Sequence, residues 1–146
     1  MRLVVQRVSE ASVKLENGEV VGKIGKGLFV LVCVKKGDKL SDAELLAVKL
    51  VKLRAMGDSE GKMNLSVGDA GGAFWVASQF TLHADTTGGN RPSFINAADP
   101  KTAKEIYERL VAKLKEMGAS VETGSFGDYM EISTKLDGPV TILYSD

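Results

Sequence analysis

Few of the usual catalytic and structural residues are present in this chain: one cysteine, one histidine and three prolines among 146 residues. The single cysteine, Cys33, excludes an internal disulfide and fits a reducing compartment, so a cytoplasmic protein is expected. Cys33 also lies in the most apolar segment, where a thiol is inert and its pKa rises. Any Ser-His-Asp triad would have to use His83, and a lone histidine after a strand reads as a surface or packing residue. No His/Cys cluster has zinc-ligand spacing, so no metal is expected, and no organic cofactor either. Lysine and arginine number 19 and aspartate and glutamate 19, which removes any global field towards nucleic acid or membrane. An RNA contact would have to be local. No run of about 18 apolar residues exists to span a membrane. The opening MRLVVQRV carries two arginines and no long apolar core, so it is not read as a signal peptide.

What is present is strand-rich. Met1 to Val8 and Ala11 to Leu15 are apolar and β-branched, and Asn17-Gly18 is a two-residue hairpin signal before Glu19 to Ile24. Leu28 to Val34 is an uninterrupted apolar run, as in a strand buried on both faces. Ser41 and Glu44 form a capping box for a helix reaching about Met56. Gly57 to Gly72 reads as a loop or short hairpin, Ala73 to Ser78 as a strand, and Asp85 to Asp99 as a long polar connection. Asp99-Pro100 caps a second helix whose stripe of Ala103, Ile106, Tyr107, Leu110, Val111, Leu114 and Met117 ends at Gly118. Val121 to Thr123, Tyr129 to Ser133 and Val140 to Tyr144 complete the order β-β-β-α-β-α-β-β-β. This predicts one α+β domain over 1–146, with a mostly antiparallel, partly barrel-like sheet and two helices on one face.

Two segments stand out chemically. Ser78-Gln79-Phe80-Thr81 gathers three hydrogen-bonding side chains and a ring at a strand end, where N–H groups left out of the sheet would suit an oxyanion. Read alone, the plainer reading of a polar strand terminus is favoured. Gly138-Pro139 precedes a strand-like tail, although proline cannot donate to a ladder and is confined to strand starts, edges and bulges. The bland reading is a plain turn; the sharper one is a cis corner that aims carbonyls where a regular strand does not. The glycine-rich Gly22 to Gly27 runs into a strand and TTGGNR at 86–91 lacks the Lys-Ser/Thr ending, so neither fits a phosphate loop.

Taken together, these segments are more specific. Ser78-Gln79-Phe80-Thr81 followed by Gly138-Pro139-Val140-Thr141 resembles the paired signature of the D-aminoacyl-tRNA deacylases (the D-tyrosyl-tRNA deacylase family). Met1-Arg2 with Val5-Gln6-Arg7-Val8, Asn90-Arg91-Pro92-Ser93-Phe94, and Thr123-Gly124-Ser125-Phe126-Gly127 with Met130 are similar to its other blocks. The likeness covers essentially the whole chain in order. Leu136 departs from it, since many members carry Asn two residues before the Gly-Pro, which leaves the anchoring of that turn unexplained.

The resemblance implies a homodimer that hydrolyses the ester joining a D-amino acid, or glycine, to the 3′ end of tRNA, without a cofactor. It implies that Gly138-Pro139 is cis and enters the partner's active site, where its carbonyls hold the substrate α-amino group. Ser78, Gln79, Phe80 and Thr81 would line the pocket for the terminal adenosine and scissile carbonyl. Phe126 and Met130 would contact adenine, and Arg7 would hold the Gly-Pro orientation. In the family picture the RNA 2′-hydroxyl activates water, so no protein histidine is required. Thr81 is the candidate nucleophile by chemistry, but a hydroxyl with no neighbouring base is weak, which favours positioning. The rival readings are a non-catalytic tRNA-end-binding module, with Arg7, Lys35 and Lys36 on phosphates, and a purely structural dimer.

Overall fold

The computed structural model describes residues 1–145, so the last position of the expected domain lies outside the described residues. The strands are β1 (Arg2–Leu15), β2 (Val20–Ile24), β3 (Gly27–Cys33), β4 (Met56–Gly57), β5 (Met63–Leu65), β6 (Ala73–Ser78), β7 (Val121–Thr123) and β8 (Met130–Ser145). The helices are α1 (Leu40–Lys52) and α2 (Pro100–Glu116), with a 3-10 turn at Phe80–His83. The main sheet runs β2-β1-β3-β6-β7, and β8 pairs β1 along nearly all of its length. The ladders of β1 with β2, β3 and β8 are antiparallel, whereas β3-β6 and β6-β7 are parallel, each pair joined through a helix-bearing connection. The sheet is therefore mixed, and antiparallel in most of its pairs.

Both faces of β3 and β6 are covered, which is why Leu28 to Cys33 and Phe74 to Ala77 are apolar without alternation. One face carries Leu28, Val30, Val32, Phe74 and Val76 against Ala43, Ala47 and Leu50 of α1 and Ile106, Leu110 and Leu114 of α2. The other carries Phe29, Trp75 and Ala77 against Val8, Ala11, Val13 and Ile24, with Met130 and Ile132 beside them. The second cluster is made by strands alone: the sheet curls over itself and closes most of a barrel. Gly22 makes room there, since a Cβ at that position would stand 2.6 Å from the Trp75 ring.

Several boundaries differ from the sequence reading. Helix α1 begins at Leu40, and its first turn is tied by Asp42, whose carboxylate accepts the Lys39 N–H at 2.8 Å, instead of by Ser41 and Glu44. Glu44 is drawn to α2, where its Oε1 lies 2.6 Å from Arg109 Nε. The helix stops at Lys52 because Met56 is taken by the β4-β5 hairpin, where it pairs with Leu65. Helix α2 starts as expected, with the Asp99 carboxylate accepting the Thr102 N–H at 3.0 Å. Two expected strands at 129–133 and 140–144 are one strand, β8. The proline is accommodated because Val8 pairs Leu136 and Gln6 pairs Thr141, so Asp137 to Val140 bulge out opposite the single residue Arg7.

Candidate active site

The end of β6 sets the site. Ser78 is the last residue of the ladder with β3, opposite Val32, and the Gln79 N–H still donates to the Val32 carbonyl at 2.7 Å. The Gln79 N–H is thus used in the sheet and is not among the groups left out of it that would suit an oxyanion. Beyond it the chain winds into the 3-10 turn, and the N–H groups of Phe80 and Thr81 are the ones no carbonyl of the turn can reach. The turn is held from beneath by its carbonyls. The Cys33 thiol donates to the Phe80 carbonyl at 3.2 Å and Arg2 Nη1 donates to the Leu82 carbonyl at 2.6 Å. Neither contact was legible in the sequence, where Cys33 reads only as core. Burial raises the Cys33 pKa, as expected, and lowers that of His83 with help from the Arg2 charge. Nε2 of His83 is buried with no protein partner among the described residues, and His83, at the end of the turn, does not line the cavity.

A cavity of about 640 Å³ opens in front of this turn, lined by Ser78, Gln79 and Phe80 on one side and by Phe126 and Met130 on the other. Five of the nine expected site residues thus meet, although Ser78 and Phe126 are far apart in the chain. Phe94, from the polar connection, also lines the cavity and meets the Phe80 ring edge-on at 5.0 Å between centroids. It had appeared in the sequence only as part of the Asn90 to Phe94 block. Phe126 leans on Tyr107, with centroids 5.6 Å apart, and the Tyr107 hydroxyl donates to the Val76 carbonyl at 2.8 Å. One strand thus supports both walls. Asp128 is the one carboxylate on the lining, and the Ser125 hydroxyl donates to it.

Thr81 is exposed at the rim and is not on the lining; its Oγ1 accepts from Gln79 Nε2 at 2.6 Å. An amide cannot take a proton from that hydroxyl, so the pair holds Thr81 without activating it. Among the described residues, no group of three or more His, Cys, Asp and Glu side chains is arranged to hold a metal ion, and no helix is long and apolar enough to cross a membrane.

Arg7, Gly138 and Pro139 lie elsewhere. The Gly138-Pro139 bond is cis, and both residues are exposed on the β8 bulge. Met130 and Ile132, at the start of β8, line the cavity, and Pro139 follows Ile132 by seven positions, beyond the register break after Leu136. The corner does not line the cavity of its own chain. Arg7 donates through Nη1 to the Ala55 carbonyl at 2.9 Å and through Nε to the Asp137 carbonyl at 3.2 Å, and Nε lies 3.1 Å from the Asp137 carboxylate. The anchoring left open by Leu136 is therefore made by Arg7 and Asp137.

Comparison with known proteins gives one consistent pattern. Residues 4–145 match the family model described as D-Tyr-tRNA(Tyr) deacylase. The D-aminoacyl-tRNA deacylase of Dinoroseobacter shibae is 52% identical over 142 residues, covering 97% of each chain. That of Thermosipho melanesiensis is 51% identical over 144 residues, covering 98% of this chain and 95% of its own. A solved structure of a c-Myc DNA unwinding element binding protein superposes with a TM-score of 0.92 at 34% identity, over 100% of this chain and 99% of the other. A probable eukaryotic D-amino acid tRNA deacylase shares the fold at a TM-score of 0.80 and 14% identity, over 98% and 97% of the two chains.

Proposed function

The chain belongs to the D-Tyr-tRNA(Tyr) deacylase family and is a hydrolase of D-aminoacyl-tRNA, a translation quality-control activity; from that premise we propose how its residues carry out the reaction. Residues 1–146 act as one deacylase domain. The cavity takes the aminoacylated terminal adenosine, with the adenine against Phe126 and Met130 and the ester carbonyl at Ser78 to Thr81. The N–H groups of Phe80 and Thr81 receive the oxyanion as water adds to the carbonyl. The C–O bond to the ribose 3′ oxygen then breaks, that oxygen takes up a proton, and the D-amino acid leaves. Water is activated by the adjacent 2′-hydroxyl of the RNA, and Gln79 and Thr81 orient the ester.

The observation that carries this reading is the make-up of the lining: hydrogen-bonding groups and aromatic walls, without a histidine, and with a lone carboxylate already engaged by Ser125. An aminoacyl ester is reactive enough for positioning and oxyanion stabilisation to supply much of the acceleration.

The protein works as a homodimer in which Gly138-Pro139 of one subunit completes the cavity of the other. Support comes from the exposure of that corner and from its place outside the lining of its own cavity. Backbone carbonyls then fix the α-amino group while N–H donors fix the ester, so the Cα substituents have set directions. A D side chain points to open space and an L side chain strikes backbone, a rejection by clash. Glycine has nothing to clash, so glycyl-tRNA is a substrate as well. The enzyme is assigned to the cytoplasm, where aminoacyl-tRNA is used. The test is ester loss from D-, L- and glycyl-tRNA under equal conditions. Loss from the D and glycyl esters with the L ester intact is expected; equal loss of D and L esters overturns the gate. The second reading, a non-catalytic module that binds nucleic-acid ends, draws on the 34% identical chain named for binding DNA. It requires every ester to survive.

A further inference from the structure

Behind the Phe126 wall lies a second groove, of about 490 Å³, between α2 and the segment after β7. Phe126 lines both the groove and the cavity, so the two adjoin across one ring. The wall is thin elsewhere too: a Cβ on Gly124, which lines the groove, would collide with the sulfur of Met130, which lines the cavity. The α2 side of the groove presents Lys104, Glu108, Ala112 and Lys115, which share one helical face by their three- and four-residue spacing. Glu108 is the sole carboxylate on the lining, and it stands 3.9 Å from Lys104. Lys115 makes no ion pair with a carboxylate among the described residues. The chain as a whole has no net charge, whereas this groove is lined by two lysines and one carboxylate, and both lysines are exposed.

We propose that this groove carries the phosphate backbone of the tRNA strand behind the terminal nucleotide, with Lys104 and Lys115 as its electrostatic contacts. The inference rests on the reading above that the cavity holds the aminoacylated adenosine. A strand leaving that cavity past Phe126 meets the groove next. Lys115 stands eleven positions after Lys104, about 16 Å along the helix, the length of several phosphates in a stacked strand at roughly 3.4 Å each. Such contacts position the RNA without reading its sequence, which suits an enzyme that must accept many tRNAs.

The test compares two substrates, D-aminoacyl-tRNA and D-aminoacyl-adenosine, in the wild type and in a Lys104→Gln/Lys115→Gln double variant. Both side chains are exposed, and thermal unfolding checks that the fold is intact. The expected result is a several-fold loss of kcat/KM on the tRNA, carried by KM, relative to the adenosine ester. Its dependence on log salt becomes shallower by about 1.4, at roughly 0.7 per single-strand phosphate contact. Arginine at both positions restores the tRNA rate. An unchanged salt slope, or equal losses on both substrates, overturns the groove. A wild type that leaves both esters intact overturns the deacylase mechanism instead.

Discussion

Arg7 grips Asp137 twice, through the carbonyl at 3.2 Å and the carboxylate at 3.1 Å, and the second half of its guanidinium is fixed on the Ala55 carbonyl at 2.9 Å. The two grips differ in worth. The Asp137 carboxylate is half exposed, so its ion pair contributes at most about 1 kcal/mol. The carbonyl contacts come from a side chain that is only 14% exposed, one of them to the buried Ala55. Arg7→Ala therefore removes about 2 kcal/mol of support, which is roughly a thirtyfold loss in kcat/KM if the corner feels all of it. Asp137→Ala is expected to stay within a few-fold, because the Arg7 contact to the backbone survives. Steady-state kinetics on D-aminoacyl-tRNA separates the two; equal losses would put the anchor in the carboxylate.

The Gln79-Thr81 pair and Asp128 decide between positioning and side-chain chemistry. Thr81→Ala deletes one hydroxyl that is hydrogen-bonded to an amide. The expected fall in kcat is under about tenfold, the scale of one positioning contact. Near-complete loss with unchanged tRNA binding assigns Thr81 as nucleophile. Asp128→Asn keeps a hydrogen-bonding group for Ser125 and is expected to behave as mildly. A drop of roughly a hundredfold or more, the size of a general-base contribution, makes the carboxylate the base and removes the need for the RNA 2′-hydroxyl.

Gly27 is a stability determinant of the site. It is buried at the start of β3, opposite Ala73, and a Cβ there would overlap the Ala73 carbonyl. That carbonyl belongs to the strand whose other end carries Ser78. Gly27→Ala is expected to cost on the order of 3 kcal/mol through forced separation of the two strands. Gly25→Ala meets nothing within 4 Å and is expected to be near neutral. Urea unfolding of the two variants measures the contrast, and similar midpoints would contradict the close approach.

Much of this was legible because local patterns and packing agree. The α2 stripe, the Asp99 cap and the two-sided burial of β3 follow from spacing and apolarity alone, and the structure repeats them. The α1 cap was misread because Ser41 and Glu44 satisfy the local rule equally well, and the winner is set by Arg109, 65 residues from Glu44. The continuity of β8 was hidden for a similar reason. A proline breaks a ladder only if it must donate, and here β8 bulges it out opposite Arg7. Within the site, residue types pointed to Ser78 to Thr81, but no local signal brings Phe94 to Phe80 or the Cys33 thiol to the turn. Those are tertiary contacts of the turn with a long connection and with the end of β3, and one sequence carries no periodicity for them.

The separation of corner and cavity gives the last expectation, which concerns subunits. If each active site combines the cavity of one chain with the Gly138-Pro139 corner of the other, defects in the two parts must complement. Gly138→Ala damages the corner, since a Cβ there would stand 2.8 Å from both the amide N and a methyl of Val140, at a φ of +131°. Phe126→Ala damages the cavity wall. Each variant alone is expected to be poor in deacylation. Mixed after unfolding and refolding together, they form heterodimers in which one of the two sites is intact, so about a quarter of wild-type activity returns under random pairing. If cavity and corner worked within a single chain, every site would keep one defect and mixing would return nothing. The outcome is read from the activity of the mixture against the mean of the two separate variants, with sedimentation confirming the dimer.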